Sequence, residues 1–178
     1  VAVLVEVKVR SLGLDRTTNN PVVILQEDEG ERVLPIWIGP NEASYIAMQL
    51  AEWTFARPLT QDLLASVLSG LGGSLDRVII NRVVDNTYFA ELIIRRNGDL
   101  ISVDARPSDS IAVALRLNAR IFAEDDLLEQ ATVEISEEES VSFDPGDSDT
   151  LQDPEEKAEN LKDYLRKLNP EDFGRFSA

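Results

Sequence analysis

Apolar and polar positions alternate from the first residue. Val1, Val3, Val5, Val7 and Val9 share one side of an extended segment and Glu6, Lys8 and Arg10 the other, the pattern of a half-buried strand. Residues 21–27 (PVVILQE) and 31–38 (ERVLPIWI) flank an Asp-Glu-Gly turn and read as a hairpin. Pro35 has no N–H for a ladder, so the second strand is expected at an edge or a bulge. After Gly39, which suggests tight packing or a positive φ, Pro40 stands where a first helical residue belongs. Ile46, Leu50 and Trp53 then mark an apolar helix face. A second helix is expected after Arg57-Pro58, with Thr60 as N-cap and Leu63, Leu64, Val67, Leu68 and Leu71 pointing inward. The GLGG run at 70–73 reads as its stop.

The order then repeats. Residues 75–85 and 87–96 are strand-like across a short Asp85-Asn86-Thr87 turn, and Asn97-Gly98 is a two-residue hairpin signal before LISVDA. PSDSIAVALRLN is a helix ending near Asn118, ARIFA a short strand and EDDLLEQA a short helix. VLPIWIGPNEASYIAMQL and LISVDARPSDSIAVALRL superpose with Pro40 on Pro107, and the echo runs on to Phe55-Ala56 against Phe122-Ala123. A unit used twice implies that neither half can bury its apolar face alone. The prediction is an α+β domain of duplicated, strand-rich βββα-like units over residues 1–135. An acidic linker (136–153) follows, rich in Ser, Asp, Pro and Gly. Residues 154–178 carry a helix start at Asp153-Pro154 and one apolar stripe of Leu161, Tyr164, Leu165 and Leu168, which needs something to dock on.

Composition narrows the chemistry. With no cysteine and no histidine in 178 residues, disulfides, thiolate and imidazole metal sites, cysteine nucleophiles and Ser-His-Asp triads are all excluded. Catalysis is left to carboxylates, arginines, hydroxyls, lysine or a metal-bound water. Lys8 is the only lysine before residue 157, so a P-loop is absent. The net charge of −16 is uneven: 18 of the 33 acids but only five of the 17 bases fall in residues 124–178. Nucleic acid would have to be met by a local arginine patch rather than by the overall field, and Arg77, Arg82, Arg95 and Arg96 on the second-half strands are candidates. A solvated strand face, with Arg82 paired to Asp85, is the commoner explanation of such residues. No apolar run is long enough to span a bilayer and no signal-peptide pattern opens the chain, which suggests a cytoplasmic protein.

The strand-to-helix junction DARPSD concentrates candidate chemistry. Asp104, Arg106, Ser108 and Asp109 meet at a helix start, where free amides and the helix dipole favour an anion and an arginine fork adds phosphate contacts. The carboxylates could instead hold a divalent cation. A plainer account has Asp109 complementing the dipole, Ser108 satisfying an amide and Arg106 pairing with Asp104. Glu42 is the first-half counterpart, and Arg57 with Asp62 forms a third polar cluster at a helix start; capping is the favoured explanation of both. Trp37 and Trp53 read as core or subunit-contact residues.

LPIWIG followed by Glu42-Ala43, then Arg57-Pro58, Asp62-Leu63, Phe89-Ala90 and above all DARPSDSIAVALR resembles the bifunctional nuclease family, over about residues 1–135. The resemblance implies a self-associating α+β domain with nuclease activity towards RNA and DNA. Its motif residues map to Glu42, Arg57, Asp62, Asp104, Arg106, Ser108 and Asp109. Gln61 stands where bacterial relatives often carry a histidine, so no mechanism can use that imidazole here.

Two functions follow as expectations. In the first, Asp62, Asp104 and Asp109 hold Mg²⁺ or Mn²⁺ for phosphodiester hydrolysis, Arg106 and Arg57 steady the phosphate, and Ser108 and Glu42 contact substrate. In the second, a noncatalytic homo-oligomeric module recruits a protein through its acidic tail and terminal helix. Anion sensing at the Pro107 helix start is a third.

Overall fold

The structure, a computed structural model, describes residues 3–15 and 18–137, with side chains through Ala131. The expected linker beyond Glu137 and the terminal helix lie outside these residues. The elements in chain order are β1 (Leu4–Leu14), β2 (Pro21–Glu27), β3 (Val33–Trp37), α1 (Pro40–Leu50), α2 (Thr60–Gly70), β4 (Gly73–Val84), β5 (Thr87–Arg96), β6 (Asp99–Ala105), α3 (Pro107–Leu117), β7 (Arg120–Glu124) and α4 (Asp125–Glu137).

The two predicted βββα units are β1-β2-β3-α1 and β4-β5-β6-α3. Each contributes an antiparallel meander to one seven-stranded sheet of order β3-β2-β1-β7-β4-β5-β6. Turn chemistry sets the second meander: Asp85 and Asn86, then Asn97 and Gly98, take the positive φ that tight hairpins require. Pro35 lies on edge strand β3, where its missing N–H is harmless. β7 fills the middle, antiparallel to β1 and parallel to β4. The echo therefore stops short of Phe55, which lies in the coil between α1 and α2, whereas Phe122 is in β7. Only one strand can occupy the centre between two related halves.

Alternation places Val7, Val23, Leu25, Leu34, Ile36, Val78, Ile80, Ala90, Leu92, Ile121 and Ala123 on one sheet face. There they pack with Ile46 of α1, Ile111, Ala112 and Ala114 of α3 and Leu127, Leu128 and Ala131 of α4. α3 is the most deeply seated helix, buried at seven of its eleven positions and closed by Asn118 in the left-handed region. Ser110 is fully buried among apolar neighbours, and its Oγ has no hydrogen-bond partner. A lone buried hydroxyl costs its desolvation, so Ser110→Ala is expected to stabilise the fold by about 1 kcal/mol in urea unfolding.

Two predicted faces differ from those observed. Leu50 is exposed, and α1 seats through Ile46 and Ala43 instead. On α2 the contrast is sharper: Leu63 (55%), Leu64 (45%), Val67 (47%) and Leu71 (61%) face solvent, and only Ala65 is buried. The N-cap is Leu59, not Thr60. Its backbone N–H donates to Asp62 Oδ2 at 2.9 Å, so the third helical residue does the capping. Gly72, with φ +75°, closes the helix as the GLGG reading expects.

An ion cluster ties the first hairpin to α4. Arg32 donates to both Glu27 carboxylate oxygens at 2.9 Å and to Asp125 Oδ1 at 2.8 Å. The hydrogen bond from Arg32 holds Glu27 below its ordinary pKa of 4.5, and one from Arg95 lowers Asp76 from 3.8. A carboxylate depressed in the folded state stabilises above its unfolded pKa, and that stability disappears as pH falls through the folded value. The melting temperature is accordingly expected to drop on acidification below about pH 4.5. Glu27→Gln should flatten part of that slope in thermal melts across the acid range.

Candidate active site

Glycine 39 and Arg106 occupy equivalent N-cap positions before Pro40 and Pro107, and neither helix start has a side-chain cap. Gly39 is extended (φ −76°, ψ 162°), so its smallness serves packing: a Cβ there would sit 2.3 Å from Glu42 Oε2. Glu42 is held in place to meet the other half. Arg106 donates from Nη1 to Glu42 Oε1 at 2.8 Å, and from Nε and Nη2 to the two Asp109 oxygens at 2.6 and 3.0 Å. The bond to Asp109, and secondarily that to Glu42, raises the arginine's pKa further. This cluster clamps the two helix starts together across the halves. Its guanidinium is exposed and already shared by two carboxylates, so a bound phosphate would have to displace them. Arg106 does not pair with Asp104, because Asp104 lies on β6, facing Glu91 across the ladder. Ser108 is buried and caps nothing.

The other cluster lies towards the far end of α3. A cavity of about 540 Å³ opens between the α1–α2 connection, α2 and the last turn of α3. Trp53 and Phe55 form one wall, their ring centroids 6.4 Å apart at 58°. Asp62, Ser66 and Ser69 line another, with Arg116 reaching in from α3. Asp62 is positioned twice, by its bond to the Leu59 amide through Oδ2 and by Arg116 Nε, 2.6 Å from Oδ1. That second contact is a close charge pair, not an aligned hydrogen bond, so Oδ1 is buried without a hydrogen-bond donor. The Asp62 side chain is 13% exposed. The cavity therefore offers flat aromatic surface, a cation, two hydroxyls and a carboxylate oxygen with lone pairs to spare.

The three aspartates expected to share a metal are thus dispersed. Asp109 is in the clamp and Asp62 in the cavity wall, about 10 Å of α3 separating the levels of Asp109 and Arg116. Asp104 is on an edge strand. No group of three or more acidic side chains among the described residues is placed to hold a metal ion. The three expected ligands do not form one shared site, and no step is derived through Mg²⁺ or Mn²⁺. Arg57 is exposed between Ala56 and Pro58, both of which line the cavity.

The arginine patch lies elsewhere. Arg77 and Arg95 converge on Asp76, and Arg82 stacks on Phe89 at 4.3 Å instead of pairing with Asp85. These side chains alternate with the core residues of β4 and β5, which puts them on the sheet face away from the helices. Trp37 is half exposed, its indole N–H donating to Asp15.

Arg116, Trp53 and Phe55 were not among the site residues expected from sequence. An arginine in a last helical turn ordinarily complements the helix dipole, and its partner is remote in the chain. Two aromatics in a polar connection were the one available signal.

No helix among the described residues is long and apolar enough to cross a membrane. The family model of the bifunctional nuclease domain matches residues 23–136. A protein of Mycobacterium tuberculosis (strain ATCC 25618 / H37Rv), described only as uncharacterised, is 39% identical over 94% of this chain and 97% of its own length. Bifunctional nuclease 2 of Oryza sativa subsp. japonica is 30% identical over 57% of this chain, and its Arabidopsis thaliana namesake 27% identical over 58%. In each plant protein the match spans 32% of the relative's length, so only a domain is shared. With that family model covering residues 23–136 of 178, the chain belongs to the bifunctional nuclease domain family.

Proposed function

We propose that this domain hydrolyses phosphodiester bonds in nucleic acid, with the scissile nucleotide seated in the cavity beside Asp62 and Arg116. The observation that carries this reading is Asp62 Oδ1: a buried carboxylate oxygen, free of hydrogen-bond donors, at the wall of a cavity of about 540 Å³ and 2.6 Å from a guanidinium. Ligand sites commonly fall between about 300 and 1,000 Å³, so a nucleotide fits.

Trp53 and Phe55 supply surface for a base to pack on. Arg116 neutralises a phosphate oxygen and the charge that grows on it during attack. Asp62 Oδ1 takes the proton from the attacking hydroxyl, a water or a ribose 2′-OH, and the P–O bond to the leaving oxygen breaks as that oxygen takes a proton from solvent. Ser69 is placed to hydrogen-bond the phosphate, Ser66 donating instead to the Asp62 carbonyl. Without a histidine anywhere in the chain, a carboxylate is the natural proton acceptor. The names of the plant relatives support the reaction class. The test is cleavage of single-stranded and duplex RNA and DNA by the purified full chain, with Asp62→Asn as the diagnostic variant.

A further inference from the structure

The cavity beside Asp62 is a polar seat in surroundings that give a polyanion little to hold. Arg116 is the cation among its lining residues, and its charge is shared with Asp62. Arg57 stands at the rim, exposed between the lining residues Ala56 and Pro58, and no carboxylate holds it among the described residues. Two cations therefore serve the mouth of the cavity.

Beyond the mouth the surface changes character. Glu52, an exposed acid, immediately precedes Trp53 of the aromatic wall. Past Asp62, α2 shows Leu63, Leu64 and Val67 to solvent. Other guanidinium groups are committed elsewhere: Arg106 to Glu42 and Asp109, and Arg77 and Arg95 to Asp76 on the opposite face of the sheet. A long nucleic acid is held by releasing counterions to successive Lys and Arg side chains, so affinity grows only where such a track exists. Here a strand that runs on past two phosphates meets apolar side chains or a like charge, on a chain whose net charge is −16.

We infer that the cavity selects short oligonucleotides, of two or three nucleotides, and the free ends of longer strands over the interior of a polymer. The inference rests on the reading of the cavity as a nucleotide seat and names the substrate class of that seat. One base packs against Trp53 and Phe55, its phosphate lies at Arg116, and the next phosphate outward meets Arg57. Each further nucleotide adds a charge that no cation receives. An end enters with strand leaving on one side only, whereas an interior segment must be repelled on both. Added salt weakens the two local contacts but also screens the repulsion felt by a long strand, so the preference for short substrates narrows as salt rises.

The test compares thymidine monophosphate, 5′-phosphorylated dithymidylate and an oligothymidylate of about 20 nucleotides, long enough to engage any extended cationic track. With Trp37→Phe in the full chain, Trp53 is the one tryptophan left, and adding Asp62→Asn lets its quenching report binding without turnover. For the dimer, log Kd is expected to rise with log salt at a slope of at most about 1.4, two phosphates at about 0.7 each. Arg57→Ala should roughly halve that slope and leave the slope of the monophosphate unchanged. The long strand, counted per dinucleotide step, should bind no more tightly and with no steeper slope. In cleavage by the unaltered chain at low salt, kcat/KM per bond should be at least about tenfold higher for the dimer.

A slope above about 2 for the long strand marks a third phosphate contact and would overturn the inference. Equal cleavage per bond at low salt would overturn it too, as would a dimer slope that Arg57→Ala leaves unchanged, or no quenching of Trp53 by any of the three probes. The two readings fail separately. Binding as expected with no cleavage removes the hydrolytic step and keeps the ligand class, whereas cleavage without a length preference does the reverse.

Discussion

Asp62→Asn is expected to lower nucleic-acid cleavage at least about 100-fold, the usual range for removing a general base, while leaving the fold in place. The amide preserves the shape of the side chain and can still accept the Leu59 N–H that starts α2. What it loses is the charge beside Arg116 and the basicity of Oδ1. A melting temperature within a few degrees of the parent, together with lost turnover, separates chemistry from unfolding. Asp109→Asn is the informative contrast, because Asp109 belongs to the clamp with Arg106 and Glu42 and not to the cavity. Should Asp109→Asn abolish cleavage while Asp62→Asn leaves it untouched, the site would move to the paired helix starts. A parent chain that cleaves none of the four substrates would end the nuclease reading altogether.

Ile111→Ala is expected to cost about 3–4 kcal/mol and to lower the melting temperature by roughly 10 °C. Ile111 has no solvent exposure and sits in α3, the helix that touches α1, α2 and the central strands β4, β5 and β7. Truncation leaves a cavity walled by both halves of the molecule, and neither half can move in to fill it without dragging its own meander. Urea unfolding gives the cost directly, and a loss below about 1 kcal/mol would mean that the core relaxes around the site. Arg106→Ala provides the comparison. Its ion pairs are exposed, with the guanidinium side chain 64% accessible, so their loss should cost no more than about 1 kcal/mol despite three short hydrogen bonds.

The fate of the predicted leucines in α2 shows where helical periodicity stops being informative. Read as a periodic apolar face, they demand a core; in the structure they face away from it. Helical periodicity reports only that one side of a helix avoids water, not which surface it avoids water against. α2 already uses its opposite side for Ala65 and for the polar residues of the cavity wall. The remaining stripe is therefore displaced outward.

Local chemistry was legible throughout the domain. Alternating valines, the Asp85-Asn86 and Asn97-Gly98 turns, prolines at two first helical positions and a left-handed Asn118 each act over a few residues, so their consequences can be read in order along the chain. The duplication was legible for the same reason, since two similar stretches build two similar units, and the absence of histidine and cysteine limits the chemistry whatever the fold. What only the tertiary structure decided was which distant side chains became neighbours. Asp62 met Arg116 and not Asp109, Arg106 chose Glu42 over Asp104, and Phe55 lined a cavity while its counterpart Phe122 entered the central strand. Those outcomes depend on how helices seat on a shared sheet, where burial of apolar surface dominates and Asp62 and Glu42 pair with the guanidinium that packing brings within reach.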